Sequence, residues 1–395
     1  MTLSGRLELT NRLRLLYALA DSRAAKSKIL DQLVATAGYG RKYAIWLVNQ
    51  PPLSPAPTRR RERRRVYTST LLAALILIWD TCECICSKRL RDFIPEMIDR
   101  LEACGHLYLG PTDRALLAQM SASTIDRLLR PERAARRQHG RSTTKGVSGL
   151  KASIPVHTHA DRHYQTPGHV EMDTVAHCGE STRGDYLVTL DVVDLATFWV
   201  EPITPSGRGQ GAVLEALKTI RQRLPFPLLS IDSDNDGCFI NDMMRRYCEQ
   251  EHLGFGRSRP YRKNDQAHVE QRNWSVVRQL IGYDRFERDA LVAFNAFWEK
   301  RRLYVNYFQP VRKLLRKQRI DGKVHKEYDA ARTPYFRVMD APSVSADRKN
   351  EIKAVYLSLD PVTLKQECDR LLRRVWERRT VRFLTDASAS PGYEN

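Results

Sequence analysis

The sequence has no long hydrophobic run. Its longest apolar stretch, Leu71–Trp79 ("LLAALILIW"), has nine residues, about half of the ~20 that a bilayer span needs. It predicts a buried helix and no membrane partner. The first residues, "MTLSGRLELTNRLRLL", hold neither an apolar signal core nor a small-residue cleavage site, which predicts a cytoplasmic protein. The eight cysteines include no paired C-x-x-C, which argues against structural zinc and for scattered reduced thiols. Cys82, Cys84 and Cys86 alternate in a segment that reads as helical, so they would point apart. His157, His159 and His163 have no cysteines nearby and read as loop residues. The glycines of "SGRGQGAV" lack a following Gly-Lys-Ser/Thr and a later acidic ribose partner. They predict a flexible helix start and no nucleotide cofactor.

What the chain has in excess is positive charge, +19 over 395 residues. Residues 1–150 carry 26 Lys/Arg against 13 Asp/Glu, residues 151–250 carry 9 against 14, and residues 251–350 carry 22 against 12. Basic flanks suit a phosphate backbone, where Lys and Arg displace condensed counterions. An acidic middle would repel that backbone unless divalent cations sit in it. The length exceeds one ordinary core and predicts several domains.

Residues 1–50 and 67–130 each read as a helix-turn-helix unit. In the first, Ile29, Leu30, Leu33 and Val34 have helical spacing, Gly38-Tyr39-Gly40 breaks the pattern, and a second helix starts at Arg41 with Ile45 and Val48 inward. In the second, Thr112 is placed to cap a helix carrying Leu116 and Leu117, and Ile125, Leu128 and Leu129 follow a Ser121–Ser123 turn. Two short helices joined by a short turn can set the second in a DNA major groove. Arg41, Lys42 and Arg127 are candidate DNA contacts. The Pro/Arg-rich linker 51–66 adds Arg59, Arg60, Arg61, Arg63, Arg64 and Arg65 as phosphate or minor-groove contacts. A second polar linker covers 131–166.

From Gly168 the period changes. "GHVEMDTVAH", "DYLVTLDVVD" and "TFWVEPIT" read as strands. Then come a helix ("AVLEALKTIRQRL"), a strand ("PLLSIDSD"), a helix ("FINDMMRRYCEQEHL", preceded by an Asp236 cap), a strand ("GFGRSR") and a helix ("AHVEQRNWSVVRQLI"). The order β-β-β-α-β-α-β-α calls for a mixed sheet with helices on its faces. Three carboxylates stand on separate elements: Asp173 in the first strand, Asp234 at the end of the fourth and Glu270 on the last helix. Ligands collect at strand ends in open α/β sheets. Converging acids suit magnesium, and two such ions can clamp an in-line phosphoryl displacement. Arg257, Arg259, Arg262 and Lys263 precede Glu270 as candidate phosphate contacts. Tyr261 is placed either to stack on an unpaired base or to pack.

With thirty-five residues between Asp234 and Glu270, the block resembles the DDE transposase and retroviral-type integrase superfamily. The blocks "EMDTVAHCG", "LPFPLLSIDSDN", "FIN" and "SRPYRKND…VEQRNWSVVR", with "GYGRKYAI" upstream, are similar to those of bacterial insertion-sequence transposases with an integrase catalytic core. The resemblance implies an α/β, ribonuclease H-like core at 167–305, a mixed five-stranded sheet flanked by helices. All-α helix-turn-helix domains would precede it and a small basic region, 306–395, would follow. It further implies two Mg²⁺ (or Mn²⁺) ions per active site, with Asp173 bridging both and Asp234 and Glu270 each completing one. The implied partners are double-stranded DNA, as terminal repeats and target, and further copies of the chain. The implied reaction is 3′-end cleavage and strand transfer. One departure stands out: relatives read Ser-Asp-Asn-Gly, whereas this chain reads Ser233-Asp234-Asn235-Asp236-Gly237-Cys238. The alternative expectation is thus a catalytically impaired DNA-binding regulator derived from a transposase. A ribonuclease H-type nuclease that only cleaves leaves the two N-terminal units unexplained. Around Asp321-Gly322 a basic strand–turn–strand reads as a non-specific DNA contact. "VTLKQECDRLLRRVWERR" reads as an amphipathic helix serving self-association.

Overall fold

Thr2 and Ser22 open the first two helices of the chain, each accepting a hydrogen bond from a backbone N–H three residues on (Gly5 at 3.2 Å, Ala25 at 3.1 Å). The helices are α1 (Leu3–Leu19), α2 (Arg23–Ala37) and α3 (Arg41–Val48). Gly38 ends α2 in the left-handed region (φ 72°), where its N–H reaches Val34 O, a conformation that costs glycine least. Leu13, Leu30, Leu33, Ala37, Ala44 and Val48 close the core of this unit, Met1–Val66. Ile45, expected inward, is 40% exposed. The inward stripe of α3 is Ala44, Leu47 and Val48, and Ile45 lies about 100° away from Ala44 around the helix. The computed structural model describes residues 2–52, 66–136, 165–233, 239, 241–257, 269, 272–320 and 322–380.

The second unit is Tyr67–Asn395. It begins with α4 (Ser69–Thr81), α5 (Ser87–Ala103), α6 (Pro111–Ala118) and α7 (Ala122–Ala135). The cysteine segment is not helical. Helix α4 stops at Thr81, Glu83 and Cys84 take positive φ (54° and 55°), and Cys86 is the N-cap of α5. Two tertiary contacts hold that turn: Trp79 Nε1 donates to Ile85 O at 3.1 Å, and Glu83 pairs with buried Arg301. Helix α6 is capped by Gly110, two residues before the expected cap Thr112, with Pro111 as its first residue. Helix α7 runs through Pro131 to Ala135, past the expected start of the linker, and Arg133 and Arg136 lie over the Trp79 ring at 5.6 and 5.3 Å.

The strands are β1 (His169–Ala176), β2 (Val188–Asp194), β3 (Val200–Ile203), β4 (Ser230–Ser233) and β5 (Gly254–Arg257), in sheet order β3-β2-β1-β4-β5. β1 is antiparallel to β2 and parallel to β4, and β4 is parallel to β5. Helix α8 (Gln210–Arg223) joins β3 to β4, and α9 (Asp242–Gln250) precedes β5. Helix α9 starts later than the sequence suggested: its cap is Asn241, whose side chain accepts from Met244 N at 2.9 Å. Residues 234–238 lie outside the described set, and the expected Asp236 cap with them. After β5 comes α10, a π-helical turn Asn273–Arg278 running into Gln279–Ile281. This mixed sheet between helices, preceded by helices, is a ribonuclease H-like core.

The long helix α11 (Leu291–Phe308) leads to a ribbon of β6 (Leu314–Ile320) and β7 (Lys323–Tyr328), then α12 (Pro334–Asp340), α13 (Ala346–Ser358) and α14 (Pro361–Glu377). The amphipathic helix expected to serve self-association is α14. Its apolar face, Leu364, Cys368, Leu371 and Val375, is buried within the unit, where α14 packs on α11. That stripe is spent on the fold. Among the described residues no helix is long and apolar enough to cross a membrane.

Candidate active site

β1 is the middle strand, and strand alternation divides its side chains between two faces. Val170 and Met172 face one way and Glu171 and Asp173 the other. Register sets Asp191 of β2 opposite Asp173, and Asp232 of β4 beside Glu171. Four carboxylates therefore share one face of three adjacent strands. Glu171 is 2% exposed and accepts from Val269 N at 2.9 Å. Asp173 is half-buried. Its Oδ1 accepts from Thr174 N at 2.7 Å and its Oδ2 from Asn273 Nδ2 of α10 at 2.6 Å. Asp232 leans toward β5, where a Cβ on Gly256 would collide with its carboxylate. The glycine in "GFGR" thus makes room for an acid on the neighbouring strand.

Asp191 is fully buried, and neither of its oxygens has a hydrogen-bond partner among the described residues. Burial pushes its carboxyl up to about 7, with repulsion from Asp173 and Glu201 adding to the rise and Arg272 opposing it. Arg272 is itself brought down to about 10 by burial, and it donates to Phe198 O at 3.1 Å. Asn273 Oδ1 is a further buried acceptor without a partner among the described residues. Acceptors thus outnumber donors around Asp173, and carboxylate oxygen is the donor set that hard divalent cations take. The residues fit such an ion. Among the described residues alone, no three His, Cys, Asp or Glu side chains lie close enough to hold one. Asp234 and Glu270 lie outside them, although Val269 and Asn273, which flank residue 270 in sequence, touch the two β1 acids.

The candidate DNA contacts divide similarly. Arg41 is engaged within its own unit, paired with Asp31 and donating to Ser27 Oγ at 2.6 Å. Lys42 and Arg127 are exposed. Arg257 has its backbone in β5, and its side chain is outside the described set, as are Arg59, Arg60, Arg61, Arg63, Arg64, Arg65, Arg259, Tyr261, Arg262 and Lys263. Sequence reasoning missed Glu171, Asp191, Arg272 and Asn273. Two of these left a signal: Glu171 is two residues before Asp173 in an alternating strand, and Asn273 is three residues after Glu270 in the sequence. Asp191 needed the hairpin register.

No family model matches the chain. Among solved structures, the catalytic core domain of BIV integrase is similar at 16% identity and a TM-score of 0.30, over 43% of this chain and 91% of that one. The HTLV-2 integrase catalytic core domain in complex with magnesium, in its dimeric form, gives 14% and 0.27, over 37% and 91%. Superpositions this loose carry no argument about function. The sequence comparison is firmer: the uncharacterized protein y4rM of Sinorhizobium fredii (strain NBRC 101917 / NGR234) is 38% identical over 341 residues, 85% of this chain and 97% of that protein. The chain belongs to the same family as y4rM.

Proposed function

We propose that the chain is a DNA transposase of an insertion sequence. It binds the ends of its element and catalyses metal-dependent cleavage of DNA 3′ ends and strand transfer. The observation that carries the reading is Asp173 on the middle strand of a 3-2-1-4-5 sheet, bonded to Asn273 of the helix that crosses it. In this reading Asp173, Asp234 and Glu270 hold two Mg²⁺ (or Mn²⁺) ions. Bound there, the ions supply an activated oxygen nucleophile and offset charge at the scissile phosphate. Asn273 and the Thr174 N–H fix the Asp173 carboxylate, and buried Glu171 holds Val269 through its backbone N–H.

Recognition of the element ends falls to the helical segments 1–50 and 67–130, with Lys42, Arg127 and the arginines Arg59 to Arg65 on phosphates. Arg257, Arg259, Arg262 and Lys263, which precede Glu270 in the sequence, neutralise phosphates beside the scissile bond in this reading. The β6–β7 ribbon supports the same reading. Residues 312–328 carry seven Lys/Arg against two Asp/Glu, and β7 is exposed along its whole length. A two-stranded ribbon of this kind fits a DNA major groove. The protein acts in the cytoplasm as a homo-oligomer on DNA.

The test is direct. Purified protein, labelled element ends and Mg²⁺ should yield strand-transfer products, and Asp173→Asn should yield none. DNA binding without any cleavage would favour the impaired regulator, and cleavage without joining would favour a simple nuclease.

A further inference from the structure

The helix bearing Asn273 presents an outer surface that the proposed chemistry has not used. Its inward residues, Asn273, Val276, Val277 and Ile281, are buried. Trp274, next to Asn273, is 53% exposed, and its indole has no ring or hydrogen-bond partner among the described residues. A single exposed tryptophan needs no explanation. This one has company. Arg278 follows four residues later, about one turn on, in a segment whose bonds are widened so that Gln279 N–H reaches Trp274 O. Such π-turns concentrate at functional sites. Gly282 then leaves the helix with φ 71° and ψ −148°, a region open essentially to glycine alone. That turn sets Tyr283, 67% exposed, under the Arg278 guanidinium at 4.6 Å from its ring centre. Arg278 Nη1 also donates to Gly282 O at 3.1 Å, which fixes the pair. Both Tyr283 and Asp173 lie within electrostatic reach of Arg278. The Arg278–Tyr283 pair is therefore anchored beside the site acid, with Trp274 about one turn before Arg278 on the same helix.

We infer that Trp274, Arg278 and Tyr283 form a stacking platform for an unpaired nucleotide at the DNA end. The inference rests on the transposase reading for its choice of partner. Paired bases hide their faces inside the duplex, so a flat aromatic surface gains most from a base that is out of the stack. Stacking on aromatic side chains tolerates any base, and an adjacent arginine adds cation–π and phosphate attraction. The platform positions the strand and takes no part in the bond-making step.

The test uses the full chain without divalent metal, so that binding is read apart from cleavage. The probe is a duplex with a short single-stranded overhang carrying a fluorescent purine analogue, compared with the same duplex made blunt. Wild-type protein should quench the analogue. Trp274→Ala should remove the quench and weaken overhang binding roughly tenfold, the scale of one lost base stack, with blunt binding unchanged. Trp274→Phe should retain most of both. A Trp274→Ala protein that quenches like the wild type overturns the platform. So does equal loss on overhang and blunt DNA, or a change in oligomeric state with unaltered overhang binding. A wild type that passes this test yet never nicks DNA with Mg²⁺ would keep the platform and sink the transposase reading. The opposite pair of results would do the reverse.

Discussion

The two faces of the central sheet are built from alternate residues of the same strands, and they differ in nearly everything. One face carries Val170, Met172, Leu190, Val192 and Ile231, each at most 1% exposed, with α8 packed against β2 and β3. Burying side chains of this kind stabilises by about 1.5–3 kcal/mol each. The other face carries Glu171, Asp173, Asp191 and Asp232 beneath α10. Burying the Asp191 carboxyl, which has no hydrogen-bond partner among the described residues, costs stability. The comparison teaches that this strand set divides its labour residue by residue: one face holds the fold together, and the other spends part of that stability on gathering the carboxylates of the candidate site.

Substitutions on opposite faces should separate the two roles. On the acidic face, Asp173→Asn should lower DNA cleavage and strand transfer by at least about a thousandfold, the scale of several kcal/mol of lost charge stabilisation. Asp234→Asn and Glu270→Gln should behave alike. DNA binding and urea midpoint should stay near the wild type in all three. Near-normal cleavage by any of them would remove that residue from the site. On the apolar face, Met172→Ala should do the reverse. It empties a fully buried position and should cost roughly 2–5 kcal/mol in urea unfolding, with turnover per folded molecule unchanged. A Met172→Ala protein that is stable but inactive would break the division.

A smaller effect sharpens the boundary between them. Asn273→Ala removes the donor at 2.6 Å from Asp173 Oδ2. Loss of a group that orients a metal-binding side chain costs roughly 10–100-fold in metal affinity or activity. Titration of activity with Mg²⁺ should show the variant needing more metal and recovering at saturation. Equal metal dependence would mean that Asn273 merely packs.

How much of this was legible in the sequence follows from which periods are local. The alternation of "GHVEMDTVAH" and the β-β-β-α-β-α-β-α order are local, and the sheet bears them out. The cysteine segment misled because the alternation of Cys82, Cys84 and Cys86 says nothing of Glu83 reaching Arg301, 218 residues away. The α14 stripe was legible as amphipathic, but what it faces was not, since α11 is distant in sequence. Asp191 looked like one more residue of a β-rich run until register set it across from Asp173. Of the candidate triad, Asp173 stands in the described site, with Asn273 and Thr174 on it.

Acidity offers the finest test, because each face holds a buried titratable group outside the site itself. Glu201 lies across from Val192 on the apolar face, fully buried, with Trp199 Nε1 donating to it at 2.8 Å. Burial pushes its carboxyl from 4.5 up to about 7, against the pull of Arg302. Between those values the folded chain holds a proton that the unfolded chain has lost, so stability falls as pH rises through the window. His177 follows β1 on the acidic face, bonded through Nε2 to Thr189 Oγ1 at 2.8 Å. Burial lowers it from 6.5 to about 3. Here the unfolded chain binds the extra proton, so stability is present above 6.5 and is lost as pH falls toward 3. From pH 4.5 to 6.5 the two slopes oppose each other. Glu201→Gln removes the first slope and keeps an oxygen for the Trp199 N–H. Urea midpoints should therefore match the wild type below pH 4.5, and the variant should gain on it up to about pH 7 and level off above that. A constant difference across that range would mean that Arg302 keeps Glu201 ionised throughout, and the apolar face would then hold a permanent buried ion pair in place of a proton.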